Sequence, residues 1–174
     1  MGVFHARSEA KALWKKYIGE DKATDPESIV KKIGGRVIEE EFDDKDISGL
    51  LLMKGKIPLI FVKKDDAPVR KRFTICHELG HYWLHKPTEV HVDKNYFVAF
   101  RNFRSSSGED LIEIEANGFA AELLMPEELL EKRMKEKKIQ KGDPIPDVLI
   151  DELTAFFQVS GQAMTIRLTS LGYI

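Results

Sequence analysis

The sequence predicts an α+β fold in which a small antiparallel sheet precedes a largely helical second half. Three short segments rich in Val, Ile and Leu lie at residues 36–40, 48–54 and 58–63, and Gly55 supplies a turn between the last two. Apolar residues recur at helical spacing before and after these segments. The chain has 174 residues, of which 43% are hydrophobic, so we expect one domain over residues 1–174.

The first third of the chain is predicted to contain two helices followed by the strands. The second helix has clear boundary signals, because Thr24 and Glu27 have the spacing of a capping box and Pro26 suits a first helical turn. Gly34 and the glycine after it are expected to end that helix. The three strand segments follow directly. The strands of the sheet are therefore predicted to precede the central helix along the chain.

The next part of the chain is predicted to be helical over about residues 66–85, with Asp66 as the N-cap. The aromatic residues 96–103 are interpreted as a strand or hairpin of the core rather than as a nucleic-acid stacking surface. A second long helix is expected at about 109–124, where Met125-Pro126 stops it.

Three further helices are predicted in the last part of the chain. A charged helix is expected at 127–138, followed by a break at 142–146 and two helices around 148–157 and 160–171. The last two resemble a helix-turn-helix, with Ser160 as N-cap of the second. Acidic residues outnumber the single Arg167 over residues 145–174, so this region is expected to pack or dock on a protein rather than bind DNA.

Composition limits the classes of partner. The 27 basic and 29 acidic residues are spread along the chain, which argues against a nucleic-acid binder or a membrane-surface protein. The apolar runs at 47–53 and 57–62 are too short to span a bilayer, and residues 1–10 do not have the pattern of a signal peptide. Cys76 is the single cysteine and is interpreted as a buried apolar residue. We therefore expect a cytoplasmic protein in a reducing compartment.

A metal-binding pattern lies in the central helix. His77, Glu78 and His81 form the pattern His-Glu-x-x-His, in which the two histidines project from the same helix face and can share one ion. Glu78 is rotated by about 100° from His77, which suits it to activate a water rather than to act as a ligand. The pattern predicts a catalytic zinc site with Glu78 as general base.

A catalytic zinc site needs a third protein ligand, and the helix at 109–124 offers Glu113 and Glu115. On a helical wheel Glu113 shares a face with Ala116 and Asn117, whereas Glu115 points to the opposite side with Gly118. Glu113 is therefore predicted to face the metal and Glu115 to face solvent. A glycine at position 80 would allow this helix to approach the central helix closely.

The residues on these two helices resemble the ImmA/IrrE family of bacterial and phage metallo-endopeptidases. The resemblance rests on residues 72–81 and 113–126 and extends over roughly residues 47–174. It implies a zincin-like fold with a catalytic part at 1–125 and a helical part at 126–174. It also implies a His77, His81 and Glu113 site for one zinc ion, with Mn²⁺ as the alternative, and limited proteolysis of helix-turn-helix repressors.

Two functional hypotheses follow. In the first, the chain is a zinc endopeptidase whose substrate is a protein, such as a helix-turn-helix repressor, whose cleavage derepresses stress or mobile-element genes. In the second, it is a non-proteolytic metal-binding regulator that docks on a repressor or toxin partner. Neither involves direct binding to nucleic acid or membrane.

Some finer roles remain open at the level of sequence. The oxyanion donor could be Tyr82, His91 or Arg101, and His85 could orient a ligand or lie at the helix surface. Residues 48–53 are expected to form an edge strand at the rim of the cleft, where an extended substrate would add as a further strand.

Overall fold

The computed structural model describes residues 2–19, 21–44, 47–86, 90–94 and 108–174, with the backbone alone for residues 90–94 and 108–110. The helices are α1 (Val3–Tyr17), α2 (Pro26–Lys32), α3 (Pro68–Gly80), α4 (Gly108–Leu124), α5 (Glu127–Glu136), α6 (Asp147–Phe157) and α7 (Gly161–Ser170). A π-helical turn, His81–His85, continues α3. The strands are β1 (Arg36–Glu40), β2 (Ile47–Lys54), β3 (Ile57–Lys63) and β4 (Val90–Lys94). The α+β class predicted from sequence is confirmed.

The sheet is mixed rather than purely antiparallel, with strand order β1-β3-β2-β4. The tight turn at Gly55, which has a φ of 64°, makes β2 and β3 an antiparallel hairpin. β1 joins the other side of β3 in parallel, from Arg36 opposite Leu59 to Glu40 opposite Lys63. The connection between β1 and β2 crosses the width of β3, and a pattern of separate strands does not reveal such a crossover.

β2 is an inner strand, so the expectation that residues 48–53 form a free edge is wrong. β3 pairs with one side of β2, and β4 pairs antiparallel with the other side, from Leu52 opposite Val90 to Ile47 opposite Lys94. The register shifts between Ile47 and Gly49, which marks an irregularity beside α3. An incoming strand would therefore meet β4 rather than β2 at this side of the sheet.

The start of α2 differs from the predicted capping box. Asp25, not Thr24, is the N-cap, and its carboxylate accepts a hydrogen bond from the backbone N–H of Ser28 at 3.3 Å. The Thr24 hydroxyl instead donates to the backbone oxygen of Leu123 at 2.6 Å and is buried. The carbonyl at the end of α4 competes successfully for this hydroxyl, because it would otherwise be a buried acceptor without a helical partner.

α3 begins two residues later than predicted and positions the motif. Pro68 occupies its first turn, which suits a residue that lacks a backbone N–H, and Asp66 pairs with Arg70 at 3.0 Å instead of capping. Residues 74–80 of this helix are buried. The α-helical hydrogen-bonding pattern gives way to a π-helical turn at His81, one residue after Gly80.

α3 and α4 touch closely where α3 has a glycine. A Cβ placed on Gly80 would lie 3.1 Å from Cα and 3.2 Å from the backbone oxygen of Ala116. Such distances leave almost no room for a side chain between the two backbones. The sequence-based reason for Gly80, that it lets α4 approach α3, agrees with this packing.

The outer face of α4 is covered by protein, which corrects two expectations. Glu115 is only 6% exposed instead of facing solvent. A Cβ on Gly118 would lie 3.0 Å from Cγ1 of Val3, so this glycine faces α1 rather than the outside. The wheel correctly separated the two faces of α4, but it could not show that α1 packs on the second face.

The C-terminal helices are joined to the core through a buried ion pair. Arg167 on α7 is 1% exposed and pairs with Glu122 on α4, which is 2% exposed. Nε of Arg167 also donates to the backbone oxygen of Met125 at 3.1 Å. Ser160 caps α7 by accepting from the N–H of Ala163, as the sequence predicted. Among the helices of the described residues, none is long and apolar enough to cross a membrane.

Candidate metal centre

Three predicted ligand residues converge at the contact between α3 and α4. Nε2 of His77 lies 3.2 Å from Glu113 Oε2, and Nε2 of His81 lies 3.3 Å from Glu113 Oε1. The two Nε2 atoms are 2.9 Å apart. Both histidines are buried, and the Glu113 side chain is 26% exposed. The structure therefore brings together the two histidines and the carboxylate that the sequence selected.

These distances fit the coordination sphere of one small cation. Ligand atoms about 2.0–2.1 Å from a tetrahedral zinc ion would be separated from one another by about 3.3 Å. The separations of 2.9, 3.2 and 3.3 Å are close to that edge length. Two imidazoles and one carboxylate are a donor set that zinc accepts, and three protein ligands leave a fourth position open. The residues present thus fit a metal ion such as zinc.

His77 also contacts Asn117, a residue whose role the sequence did not reveal. Nδ1 of His77 lies 3.1 Å from Oδ1 of Asn117, which is one helical turn beyond Glu113 on the same face of α4. If Nδ1 carries the proton and donates to this oxygen, Nε2 keeps its lone pair toward the ligand cluster. The i, i+4 spacing from Glu113 to Asn117 was the signal available in the sequence. Asn117 is therefore a candidate for orienting the first histidine.

Glu78 lies against strand β2 and is completely buried. A Cβ on Gly49 would come within 2.8 Å of Glu78 Oε1 and within 2.4 Å of Cγ2 of Thr74. The backbone of β2 is thus packed directly against the carboxyl group, and only a residue without a side chain fits there. Gly49 lies within residues 48–53, which the sequence assigned to the rim of the cleft, but its contact with Glu78 appears only in three dimensions.

Two other residues near the motif have defined surroundings. Burial raises the pKa of the Cys76 thiol, so the side chain stays a neutral buried group, in agreement with its interpretation as an apolar residue. The His85 ring lies 5.6 Å from the ring of His81 between centroids, and its Nε2 is 3.7 Å from Glu115 Oε2. The side chain of His85 is only 16% exposed, so His85 is not a surface residue at the end of the helix.

Of the three candidate oxyanion donors, only Tyr82 has a side chain that the structure describes. Tyr82 is partly buried and packs against the core, with its ring centroid 6.4 Å from that of Trp83. Arg101 and the aromatic segment 96–103 lie outside the described residues, as does the side chain of His91. None of the three is selected by the described geometry.

Comparison with known protein families agrees with this geometry. A peptidase family model described as the IrrE N-terminal-like domain matches residues 30–169, which include the whole sheet, the ligand cluster and most of the C-terminal helices. The chain belongs to this family. The ImmA/IrrE resemblance inferred from residues 72–81 and 113–126 is thus confirmed, and membership supports a metallopeptidase of this type.

A search of the curated proteins found no match to this sequence. Among solved structures, the fold of this IrrE-like chain is similar to that of a Mycobacterium tuberculosis transcriptional regulator, with a TM-score of 0.62 and 14% sequence identity. The similarity covers 97% of this chain and 47% of the regulator, so the chain spans about half the length of that protein. At this identity the similarity shows a shared fold.

Proposed function

We propose that this IrrE-like chain is a zinc-dependent endopeptidase that cleaves a helix-turn-helix repressor in the cytoplasm and thereby derepresses stress or mobile-element genes. The observation that carries the proposal is the convergence of His77, His81 and Glu113 at distances that suit one zinc ion. Membership in a peptidase family supports a protein substrate. The sequence adds Glu78, a carboxylate that a purely structural metal site does not need.

The proposed roles divide between holding the cofactor and moving a proton. His77, His81 and Glu113 would hold the zinc ion. When bound, zinc supplies Lewis acidity, which lowers the pKa of water and polarises the scissile carbonyl. Glu78 takes the proton from the attacking water and then donates it to the nitrogen of the leaving amine. Asn117 fixes the ring of His77, and Gly49 fixes the space available to the Glu78 carboxylate.

The buried position of Glu78 suits a general base. Such a group must take its proton from the attacking water and pass it to the leaving amine without losing it to bulk water. Its side chain is fully covered by protein, whereas the Glu113 carboxylate is partly exposed. Low solvent access strengthens the electrostatic interactions of a carboxylate with nearby donors. This difference in exposure agrees with Glu78 as general base and Glu113 as ligand at the mouth of the site.

The decisive experiment is the conservative variant Glu78→Gln. The amide keeps the size of the side chain but cannot accept a proton, so repressor cleavage should fall by at least about 100-fold while bound zinc is retained. The repressor encoded beside the gene of this protein is the first substrate to test, with products mapped by mass spectrometry.

Glu40→Gln, a matched change on the exposed end of β1, is the control and should cleave at the wild-type rate. Cleavage by Glu78→Gln at the wild-type rate would contradict the general-base role. A zinc-loaded wild-type protein that binds the repressor without cutting it would favour the non-proteolytic regulator instead.

A further inference from the structure

A cavity of about 430 Å³ lies between α1, α3, α4 and α7, apart from the cluster of metal-ligand atoms. Its size falls within the range of about 300–1,000 Å³ that is typical of small-molecule sites. Most of its wall is apolar, formed by residues such as Val3, Val69, Ile114, Met125 and Ile166. An apolar wall of this extent favours an occupant with an apolar part.

The cavity also contains two arginines whose donors are incompletely used. Arg167 is 1% exposed, and its Nη1 makes no hydrogen bond among the described residues. Nε of Arg7, which also lines the cavity, is buried and likewise lacks a hydrogen-bond partner in the described part of the chain. Buried N–H donors without acceptors are costly, so the pair points to an acceptor that the chain itself does not supply.

At this end of the cavity, Arg7 and Arg167 share the influence of Glu122, and Glu127 also acts on Arg7. Glu122 neutralises Arg167, but Arg7 has no ion pair within the described residues. Burial, and then the positive charge of Arg167, lower the pKa of Arg7, and the carboxylates of Glu122 and Glu127 offset only part of this shift. A bound anion beside both guanidinium groups would relieve both effects.

The hydroxyl groups that α7 contributes to the wall are occupied by backbone oxygens of the same helix. The hydroxyls of Thr165, Thr169 and Ser170 donate to the backbone oxygens of Gly161, Thr165 and Arg167 at 3.0, 2.8 and 2.8 Å. Asn117 is engaged with His77. Arg70, the third arginine of the wall, pairs with Asp66 and donates to Ser48 Oγ. Arg7 and Arg167 therefore provide the buried donors that lack an acceptor in an otherwise apolar space.

We propose that this cavity binds a small aliphatic carboxylate, with the carboxylate between Arg7 and Arg167 and the hydrocarbon tail along the apolar wall. Two forked guanidinium groups match the two oxygens of a carboxylate. A peptide segment is a poorer occupant, because its backbone N–H and C=O groups would find few partners on the apolar wall. The site is independent of proteolysis, so its failure and the failure of the proposed enzyme activity are distinguishable.

The position of the cavity gives such a ligand contact with the surroundings of His77. Phe73 and Asn117 both line the cavity, and the Phe73 ring stacks on the His77 ring with centroids 6.4 Å apart. Asn117 reaches Nδ1 of the same histidine. The cavity thus extends to two residues that contact His77 away from its ligand-cluster nitrogen.

Isothermal titration of the zinc-loaded protein with decanoate, below the concentration at which it forms micelles, tests the proposal. We expect one decanoate per chain, and binding of the uncharged decanol weaker by at least about tenfold because it lacks the charge-assisted hydrogen bonds. Equal affinity for decanoate and decanol, or no binding of decanoate, would overturn the proposal.

Two variants locate the site. Arg7→Met should weaken decanoate by at least about tenfold through the loss of one charged donor. Lys16→Met removes an exposed cation from the same helix and should leave the affinity unchanged. Ala163→Phe fills the cavity from α7 and should abolish binding while the chain stays folded by circular dichroism.

If Ala163→Phe does not fold, the contrast between Arg7→Met and Lys16→Met decides the question. Decanoate affinity that falls equally in both variants would indicate non-specific attraction to positive charge, and it would refute the site. Undiminished binding by a folded Ala163→Phe protein would do the same.

Discussion

At the scale of single residues, the two glutamates of α4 have different surroundings and should have different functions. Glu113 lies within 3.3 Å of both histidine nitrogens, whereas Glu115 lies beside His85 under the cover of neighbouring helices. The helical wheel could select Glu113 from sequence because most of its neighbours at helical spacing are small or apolar. It could not give the environment of Glu115, because that depends on helices distant in sequence.

Exchange of each glutamate for alanine should separate these roles. Glu113→Ala removes a predicted ligand and should lose most of the bound zinc, whereas Glu115→Ala should keep about one zinc ion per chain. Elemental analysis after reconstitution with zinc, followed by desalting, measures the difference. A larger loss of zinc in Glu115→Ala would reverse the assignment.

Gly49 is the residue whose importance is least visible in the sequence. Gly49→Ala would place a methyl group 2.4 Å from Thr74 Cγ2 and 2.8 Å from Glu78 Oε1. We expect a loss of about 1–3 kcal/mol in the free energy of unfolding from this overpacking, together with slower cleavage. Denaturation with urea and a cleavage assay measure the two effects.

Thr74→Ser in the same chain should restore part of both properties, because it removes the methyl group and keeps the hydroxyl that donates to the backbone oxygen of Arg70. Gly161→Ala is the control, since a Cβ there meets nothing within 4 Å. A Gly49→Ala protein as stable and active as the control would show that β2 and α3 can move apart without consequence.

At the scale of elements, most helices and strands could be predicted, but their pairing could not. Hydrophobic periodicity located α4 and the first three strands to within about one residue, because it reflects which face of a segment is buried, whereas β4 was not predicted. The parallel contact of β1 with β3 and the inner position of β2 depend on chain crossovers. The capping of α2 depends on Leu123, 99 residues from Thr24 along the chain. A hydrogen-bond acceptor so distant along the chain leaves no pattern in the local sequence.

The close contact between α3 and α4 leads to a prediction about Gly80. Alanine normally stabilises a helix interior relative to glycine by about 1 kcal/mol. Gly80→Ala should do the reverse, because its Cβ would press on the backbone of Ala116 and move α4, and with it Glu113, away from the histidines. We expect a lower melting temperature and weaker zinc binding, measured by calorimetry and by competition with a chelator.

Gly118→Ala is the matched comparison on α4. Its Cβ would meet the tip of the Val3 side chain at 3.0 Å, and that side chain lies at the first residue of α1. Since a side-chain tip can shift more readily than a backbone, Gly118→Ala should retain zinc with normal affinity. If the two variants bind zinc equally well, the close approach at Gly80 does not govern the position of Glu113.

At the scale of the whole molecule, the buried pair Arg167–Glu122 connects the last helix to the helix that carries Glu113. Removal of one member of a buried ion pair leaves an uncompensated charge, so Arg167→Met should lower the free energy of unfolding by about 3–5 kcal/mol. The double variant Glu122→Gln/Arg167→Met should recover much of this loss. Its glutamine can still accept the hydrogen bond that Glu122 takes from the N–H of Glu127.

Urea denaturation measures these differences, and an exposed pair provides the reference. Lys15 and Glu128 lie 2.8 Å apart, but both side chains are about half exposed, so Lys15→Met should lower the free energy of unfolding much less than Arg167→Met. Similar losses for Arg167→Met and Lys15→Met would mean that water reaches the Arg167 site.

The separation of Glu122 and Arg167 along the chain has a consequence for synthesis. The two residues lie 45 positions apart, and ribosomes add about 5–20 residues per second. For several seconds a growing chain therefore contains both histidines and Glu113 without the ion pair that braces α4. The contact of Glu122 with Arg167 therefore cannot support α4 until Arg167 has been added, so the position of Glu113 should become fixed only after that point in synthesis.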